Sequence, residues 1–317
     1  MAEKDISQKK LADFVDVFAD IVNVLLFHGA QRVHDQHLRN ALPRSIYKVE
    51  GKISEQERDL AKYWRDDSTC FALVGLENQS TIEKQMPLRV ISYDGADYRA
   101  QVRKRQDIQR ENARLKEEEK KQPLPDFYPV ITLVLYFGLE RWNKPRNLKS
   151  CIKIPEGLED YVNDYQIQLF EIAFLEDSTV SQFKSDFRLV AEYFVQSRKI
   201  KEGIISDYRL SMQDLIHVKE ITDLMTALTG DHSFEESYNK SLEEGGKSMW
   251  TLVDYIREQA DERAEREKAR AEKAETELQK AETQLQKLET RAEKAEAELQ
   301  KAKALIAEMQ KKIPAQQ

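Results

Sequence analysis

The chain has 317 residues, with 50 Lys and Arg against 57 Asp and Glu and a formal net charge of −7. This acidic balance counts against a tight, nonspecific DNA binder, because such proteins displace the counterions of the phosphate backbone with cations. Two cysteines, Cys70 and Cys151, are too few for a disulfide framework or a cysteine-based zinc site. The N-terminus is polar and the apolar stretches are too short to cross a bilayer, so we expect a cytoplasmic protein with no membrane partner.

The first part of the chain predicts a helix followed by three strands. Apolar residues recur at three- and four-residue steps from Lys9 to Phe27, which predicts a helix that stops at Gly29. A short β-prone stretch follows at Ser45 to Val49. Two further runs, Arg58 to Trp64 and Cys70 to Glu77, are separated by turn-forming residues and predict a β-hairpin.

A long helix and a buried strand are predicted next. Met86 to about Lys121 has helical spacing, with Pro87 in a first-turn position. Phe127 to Phe137 is the most apolar run in the chain and is rich in β-branched residues, which favours a buried central strand. The predicted order is helix, strand, strand, strand, helix, strand, which is an α/β core within residues 1–150.

The region from 151 to 253 is predicted to be mainly helical. Its apolar spacing indicates several helices, and it carries no catalytic signature. The clearest of these helices are predicted at Val180–Arg198, Met212–Leu228 and Ser233–Tyr255.

Residues 254–317 are predicted to form a coiled-coil helix. Apolar residues recur every seven positions in two series, which are typical of the a and d seams of a coiled coil. The series are Leu278, Leu285, Ala292, Leu299, Ile306 and Ile313, and Ala281, Leu288, Ala295, Ala302 and Met309. We expect a homodimer through this segment, and a lone charged helix held by Glu–Lys pairs is the alternative.

Two carboxylates and an amide are predicted to converge at the end of the hairpin. If the strands pair about the centre of their loop, Asp59 lies directly across from Glu77, with Cβ atoms about 5 Å apart. Gln79 projects on the same side as Glu77, because side chains alternate along a strand. A one-residue slip would send Glu77 to the opposite face. Asp66 and Asp67 are rivals of Asp59 in a shifted register, although turn residues are expected there.

These opposed carboxylates predict a metal site. Like charges across a ladder repel, and a divalent cation with oxygen ligands, Mg²⁺ or alternatively Mn²⁺, would relieve the repulsion. Such a metal lowers the pKa of bound water and stabilises charge on a phosphate. We predict that Asp59 and Glu77 bind it together with Asp20 of the first helix. Asp16, one turn earlier, is the rival of Asp20.

Several motifs together resemble a known family. LVGLENQS at Leu73–Ser80, MPLRVISYDGADYRAQ at Met86–Gln101 and FYPVITLVLYFG at Phe127–Gly138 are similar to segments of the Rpn family of recombination-promoting nucleases. These proteins are also described as transposases of the PD-(D/E)XK nuclease family. The resemblance covers about residues 10–150 and implies a restriction-endonuclease-like, PD-(D/E)XK core.

The resemblance also implies roles for single residues. Asp59 corresponds to the acidic residue of the family's second motif, and Asp20 to the acidic residue of its first helix. Glu77 and Gln79 correspond to an E-x-Q version of the E-x-K motif. A lysine in the last position would carry a positive charge near the attacking water or the scissile phosphate. A glutamine can only orient the water or hydrogen-bond a phosphate oxygen, so we expect a smaller contribution from it.

The helix after the site supplies candidates for DNA contact. Arg89 and Gln101, together with Tyr93, either support the site or contact DNA, and helix packing also explains Tyr93. Arg103, Lys104 and Arg105 belong to the basic run Arg99–Arg110, for which a solvated helix face is the alternative. His28, His34 and His37 fit no regular zinc spacing, so we interpret them as exposed loop residues.

The hypothesis from the sequence is a Mg²⁺-dependent DNA endonuclease linked to recombination or mobile elements. Asp59 and Glu77, helped by Asp20, would bind the metal, and Gln79 would position the water or the phosphate. A dimer would bring two active sites to the two strands of a duplex. The alternative is a nuclease-derived fold that no longer cuts and serves as a DNA-binding or scaffolding protein. A transposase with an integrase-type acidic triad is a third, weaker reading.

Overall fold

The computed structural model describes most of the chain up to residue 239. Side chains and backbone are described for residues 10–41, 59–66, 69–116, 121–211, 215–232, 234–236 and 238–239, backbone alone for 44–49 and 52–57, and scattered residues between 265 and 303. The chain divides into two compact units, Met1–Asp261 and Glu262–Gln317.

A five-stranded mixed sheet forms the centre of the first unit. The strands of the described residues are β1 (Leu38–Asn40), β2 (Arg44–Val49), β3 (Lys52–Glu57), β4 (Leu60–Arg65), β5 (Cys70–Gln79), β6 (Val130–Tyr136) and β7 (Gln168–Glu171). The sheet has the order β1-β4-β5-β6-β7, and β2 and β3 form a separate antiparallel ribbon. β4 runs antiparallel to β1 and β5, whereas β6 runs parallel to β5 and β7. The parallel strands β5 and β6 are almost fully buried, as their apolar sequences predict.

Helices cover both faces of this sheet. They are α1 (Val15–Phe27), α2 (Met86–Arg114), α3 (Asp177–Val180), α4 (Phe187–Lys201) and α5 (Val218–Thr229). On one face, Val90 of α2 and Val134 of β6 belong to the same buried cluster. On the other face, the Phe18 ring of α1 lies 5.6 Å from the Lys62 ammonium of β4. α1 ends at Phe27, and His28 caps it in a left-handed conformation with φ 52°.

The observed strand order differs from the predicted one at its edges. The stretch predicted as the first core strand, β2, lies outside the main sheet, and the short strands β1 and β7 complete the sheet instead. β7 belongs to the region predicted to be mainly helical and pairs with β6. The sheet therefore continues past residue 150, which is not a boundary between packed units.

Two predicted helices also have different bounds. The helix predicted from Met86 to Lys121 ends at Arg114, because Leu115 is extended with ψ 145°. The helix predicted over Val180–Arg198 is divided into α3 and α4. The loop between them donates backbone hydrogen bonds to Asp20, which a continuous helix could not do.

The described residues of the second unit are helical and exposed, and Leu278 is 61% exposed. Most of the predicted a and d positions lie outside the described residues, as does most of the helix predicted at Ser233–Tyr255. The coiled coil therefore stays a prediction. No helix found in the described ranges has the length and apolarity of a membrane span.

Candidate active site

Asp59 and Glu77 face each other at the end of the β4–β5 ladder. The register pairs Leu60 with Leu76, so one further step puts Asp59 opposite Glu77. This confirms the pairing that the hairpin predicted. The Asp59 Oδ2 atom accepts the backbone N–H of Asn78 at 2.7 Å, and the Asp59 N–H lies 3.4 Å from Glu77 Oε2. The two acidic residues are thus held together by backbone bonds from both strands.

Glu77 is only 1% exposed, and a buried carboxylate needs charged or hydrogen-bonded partners. The guanidinium of Arg89, near the start of α2, forms a salt bridge with Glu77 Oε1. The Gln79 amide donates to the same oxygen at 3.3 Å. Arg89 also donates to the Tyr93 hydroxyl at 3.0 Å. We call Asp59, Glu77, Gln79, Arg89 and Tyr93 the Glu77 cluster.

The electrostatics of the cluster keep Arg89 charged and Tyr93 protonated. Burial acts to lower the pKa of the Arg89 guanidinium, but the Glu77 charge and the Tyr93 hydroxyl outweigh it and raise that pKa. Burial, followed by the charge of Glu77, raises the pKa of the Tyr93 hydroxyl. Near neutral pH the cluster therefore contains a permanent cation and a neutral phenol beside the carboxylates.

The donor atoms of the cluster suit Mg²⁺ in kind. Carboxylate and amide oxygens are ligands for this ion, which often takes one or two protein carboxylates and completes its shell with water and substrate phosphate. Asp59 and Glu77 supply two such carboxylates. Over the described ranges, no three His, Cys, Asp or Glu side chains form a group able to hold a metal. The residues therefore fit an ion held by two carboxylates, and no third acidic ligand lies beside them among the residues that the structure describes.

Asp20 does not join Asp59 and Glu77. It is 6% exposed, and its Oδ2 atom accepts the backbone N–H groups of Lys184 and Ser185 at 2.8 and 2.7 Å. α1, which carries Asp20, packs on the sheet face opposite to α2 and the Glu77 cluster. The prediction that Asp20 completes the cradle is wrong, because its side chain holds the loop before α4.

Asp16, the alternative to Asp20, also has its partner outside the Glu77 cluster. Asp16 Oδ2 lies 3.1 Å from His217 Nε2, and the His217 ring stacks on Phe14 with centroids 3.7 Å apart. Asp16 and Asp20 line a cavity of about 570 Å³ together with Asp186. Sequence periodicity places both acids on α1, but their partners lie more than 160 residues away, where no local pattern reveals them.

Gln101 does not face solvent as a DNA contact would. It is 7% exposed, and its amide donates to the Tyr128 carbonyl at 3.1 Å and accepts the Tyr128 N–H at 3.0 Å. Both polar atoms of the side chain are thus bonded to the backbone that leads into β6. The prediction of DNA contact is wrong for this residue, since its hydrogen bonds fix the start of a strand.

The basic residues on the same helix are accessible. Arg103 and Lys104 are exposed, and the Arg105 guanidinium lies 5.4 Å from the centre of the Phe127 ring. Arg105 also donates to the Pro125 carbonyl at 2.6 Å. Arg103 and Lys104 are therefore the most accessible cations among the predicted DNA contacts. Arg105, in contrast, is bonded to the segment before β6.

The sequence placed Arg89 beside the site, as a support or a DNA contact, but did not pair it with Glu77. The signal that could have found this pairing is the spacing of Arg89 and Tyr93, four residues apart on one face of α2. α2 is the next element in the chain after β5. Polar side chains on the helix face that packs on the sheet require polar partners there.

The comparisons with known proteins give a match to a family model. A family model described as "Putative transposase, YhgA-like" matches residues 65–223, about half of the chain. The match includes Glu77, Gln79 and Arg89 but begins after Asp59, and it extends beyond residue 150, where the resemblance in motifs was expected to end. No curated protein and no solved structure matches at a significant level. The chain belongs to this YhgA-like transposase family, which is the PD-(D/E)XK-like Rpn type that its motifs indicated.

Proposed function

We propose that this protein is a metal-dependent DNA endonuclease with a PD-(D/E)XK-type core, acting in recombination or on mobile elements. The observation that carries the proposal is the meeting of Asp59 and Glu77 at one strand end, with Gln79 beside them. The element order α1, β4, β5, α2, β6 supports the core, and membership of a transposase family supports DNA as the substrate.

Each residue of the Glu77 cluster has its own role in the proposed reaction. Asp59 and Glu77 would hold Mg²⁺ or Mn²⁺, which when bound supplies activation of water and neutralisation of phosphate charge. Gln79 orients the attacking water through its amide. Tyr93 holds the Arg89 side chain in place. The backbone bonds around Asp59 keep the two carboxylates in register, so little reorganisation is needed when substrate arrives.

The surface beyond the cluster supports a DNA partner. Exposed Arg103 and Lys104 lie on α2, the helix that carries Arg89, and such side chains contact phosphates without reading sequence. Two chains joined by their C-terminal helices would present two clusters to one duplex, in agreement with the seven-residue repeat. A cytoplasmic location is part of the same proposal.

Plasmid nicking tests the catalytic assignment. Supercoiled plasmid is incubated with Mg²⁺ or Mn²⁺ and with wild-type protein, Asp59→Asn or Asp66→Asn. Asp66 belongs to the same hairpin, where its carboxylate accepts the Thr69 N–H at 2.6 Å, and asparagine can keep that bond. We expect nicking by wild-type and Asp66→Asn and a loss on the order of 100- to 1,000-fold in Asp59→Asn. Equal nicking by all three, or none by any, contradicts the assignment.

A nuclease-derived scaffold is the second candidate. The Arg89 salt bridge balances the Glu77 charge without a metal, and Gln79 carries no charge of its own. Thermal unfolding with and without Mn²⁺ separates the two candidates. Stabilisation by Mn²⁺ that disappears in Glu77→Ala supports the enzyme, whereas no stabilisation of the wild-type protein favours the scaffold.

A further inference from the structure

Arg89 lies where the E-x-Q motif lacks a charge. The Gln79 Nε2 and Arg89 Nη2 atoms both donate to one oxygen, Glu77 Oε1. Two donors to one oxygen lie within a few ångströms of each other. The guanidinium of Arg89 therefore occupies the neighbourhood that a lysine at position 79 would reach from β5.

The Arg89 side chain also faces outwards, unlike its partner. The Glu77 side chain is 1% exposed, whereas that of Arg89 is 35% exposed. Both of its hydrogen bonds, to Glu77 and to Tyr93, leave from Nη2. Within the described part of the chain, Nε and Nη1 make no hydrogen bond. These donors are available to a ligand that approaches from solvent.

We propose that Arg89 contacts the scissile phosphate and supplies the positive charge that the lysine of an E-x-K motif would supply. This inference rests on the proposed function, because the ligand is a phosphodiester of DNA. A guanidinium suits this task, since its planar donors match two phosphate oxygens. Arg89 is then a catalytic residue, and Tyr93 is the residue that positions it.

The chemistry leaves Arg89 protonated throughout. Water adds its oxygen to phosphorus, and the bond from phosphorus to one deoxyribose oxygen breaks. One proton of the water ends on the released hydroxyl and the other passes to solvent. The guanidinium stabilises the charge on the non-bridging oxygens as this exchange occurs.

Moving the positive side chain from position 89 to position 79 tests the inference. We compare plasmid nicking by wild-type protein, Arg89→Gln and the double variant Gln79→Lys with Arg89→Gln. The single variant should nick on the order of 100-fold more slowly, and the double variant should regain most of that loss. A lysine at position 79 would also pair with the buried Glu77, so the salt dependence of DNA binding is needed to separate a phosphate contact from charge balance alone. Nicking by Arg89→Gln within threefold of wild-type, or a double variant as slow as the single one, overturns the inference.

A second measurement does not depend on cleavage. The affinity for a short fluorescent DNA duplex is measured without divalent metal at several salt concentrations. Loss of one phosphate contact should reduce the slope of log K against log[salt] by about 0.9. We expect this reduction in Arg89→Gln and its recovery in the double variant. An unchanged slope in Arg89→Gln overturns the inference.

A second pair of variants provides the same test if Arg89→Gln fails to fold. Glu77→Gln and the double variant Glu77→Gln with Arg89→Gln both lack the buried charge that would be left unpaired. The same slope difference is expected between these two, and equal slopes contradict the contact. Wild-type protein that nicks no plasmid contradicts the proposed function, while the slopes still decide whether Arg89 contacts phosphate.

Discussion

Two buried carboxylates lie on opposite faces of the sheet and have different kinds of partner. Asp20 is bonded to the backbone N–H groups of Lys184 and Ser185. Glu77 is bonded to the side chains of Arg89 and Gln79, and Arg89 is partly exposed to solvent. Asp20 therefore holds a loop in place, whereas Glu77 has a partly exposed side-chain partner that can also contact a ligand. The comparison distinguishes Asp20, which stabilises the fold, from Glu77, which belongs to the proposed reacting centre.

The largest expected effect is a difference in nicking activity between variants of Glu77 and of Asp20. Glu77→Gln should reduce plasmid nicking on the order of 1,000-fold, because it removes a carboxylate from the reacting centre. Asp20→Asn should nick within a fewfold of wild-type per folded molecule. The rates are measured under Mg²⁺ after circular dichroism has shown that both variants are folded. The comparison fails if Asp20→Asn is as slow as Glu77→Gln.

The second effect separates them by stability. Asp20→Ala should lower the free energy of unfolding by about 2 kcal/mol, because the N–H groups of Lys184 and Ser185 lose their acceptor. Denaturant unfolding measures this value. Asp20→Asn is the control, since it keeps an oxygen in place and should cost less. Equal stability of Asp20→Ala and the wild-type protein would show that Asp20 does not hold the loop before α4.

A smaller effect is expected at Tyr93. Tyr93→Phe removes the hydroxyl that accepts from Arg89 and keeps the packing of the ring, so nicking should fall only about threefold to tenfold. The pKa of Tyr93 is raised above its ordinary value of 10.0, so its ionisation should not limit activity between pH 7 and pH 9. Rates for both proteins across this range check the prediction. A profile that changes shape in Tyr93→Phe would contradict it.

The smallest effect concerns a third buried acid. Burial raises the pKa of Asp186 above its ordinary 3.8, although the His217 and Ile216 N–H groups act to lower it. A carboxyl with a raised folded-state pKa stabilises the fold below its unfolded pKa, and this contribution is lost as pH rises through the folded value. Asp186→Asn should therefore become more stable relative to wild-type protein between pH 4 and pH 7. Thermal unfolding at both pH values measures the difference, and the opposite trend would contradict the cause given.

Local patterns predicted the elements that carry the Glu77 cluster. The predicted pairing about Ser68 agrees with the register of most of the ladder. Near the turn, however, Arg65 pairs with Cys70, and the register shifts between Trp64 and Arg65, as at a β-bulge. The apolar run of β6 and the Pro87 start of α2 were equally local signals. These features were enough to bring Asp59 and Glu77 together without knowledge of the rest of the fold.

Long-range contacts limited the prediction elsewhere. β1 has three residues and β7 has four, too few for a periodic pattern, and pairing with the main sheet defines them. Asp20 was assigned to the metal because it is an acidic residue of the first helix. Its bonds to residues 184 and 185 depend on tertiary packing, which local patterns do not reveal. The salt bridge between Arg89 and Glu77 joins a helix to a strand, which composition and spacing alone do not reveal.

Binding of Mn²⁺ tests most directly whether the Glu77 cluster, and not Asp20, holds the metal. Electron paramagnetic resonance counts the ions bound per chain in wild-type protein, Asp20→Asn and the double variant Asp59→Asn with Glu77→Gln. We predict the same specific binding in wild-type protein and Asp20→Asn and its loss in the double variant. Binding that survives in the double variant, or that disappears in Asp20→Asn, would contradict this assignment.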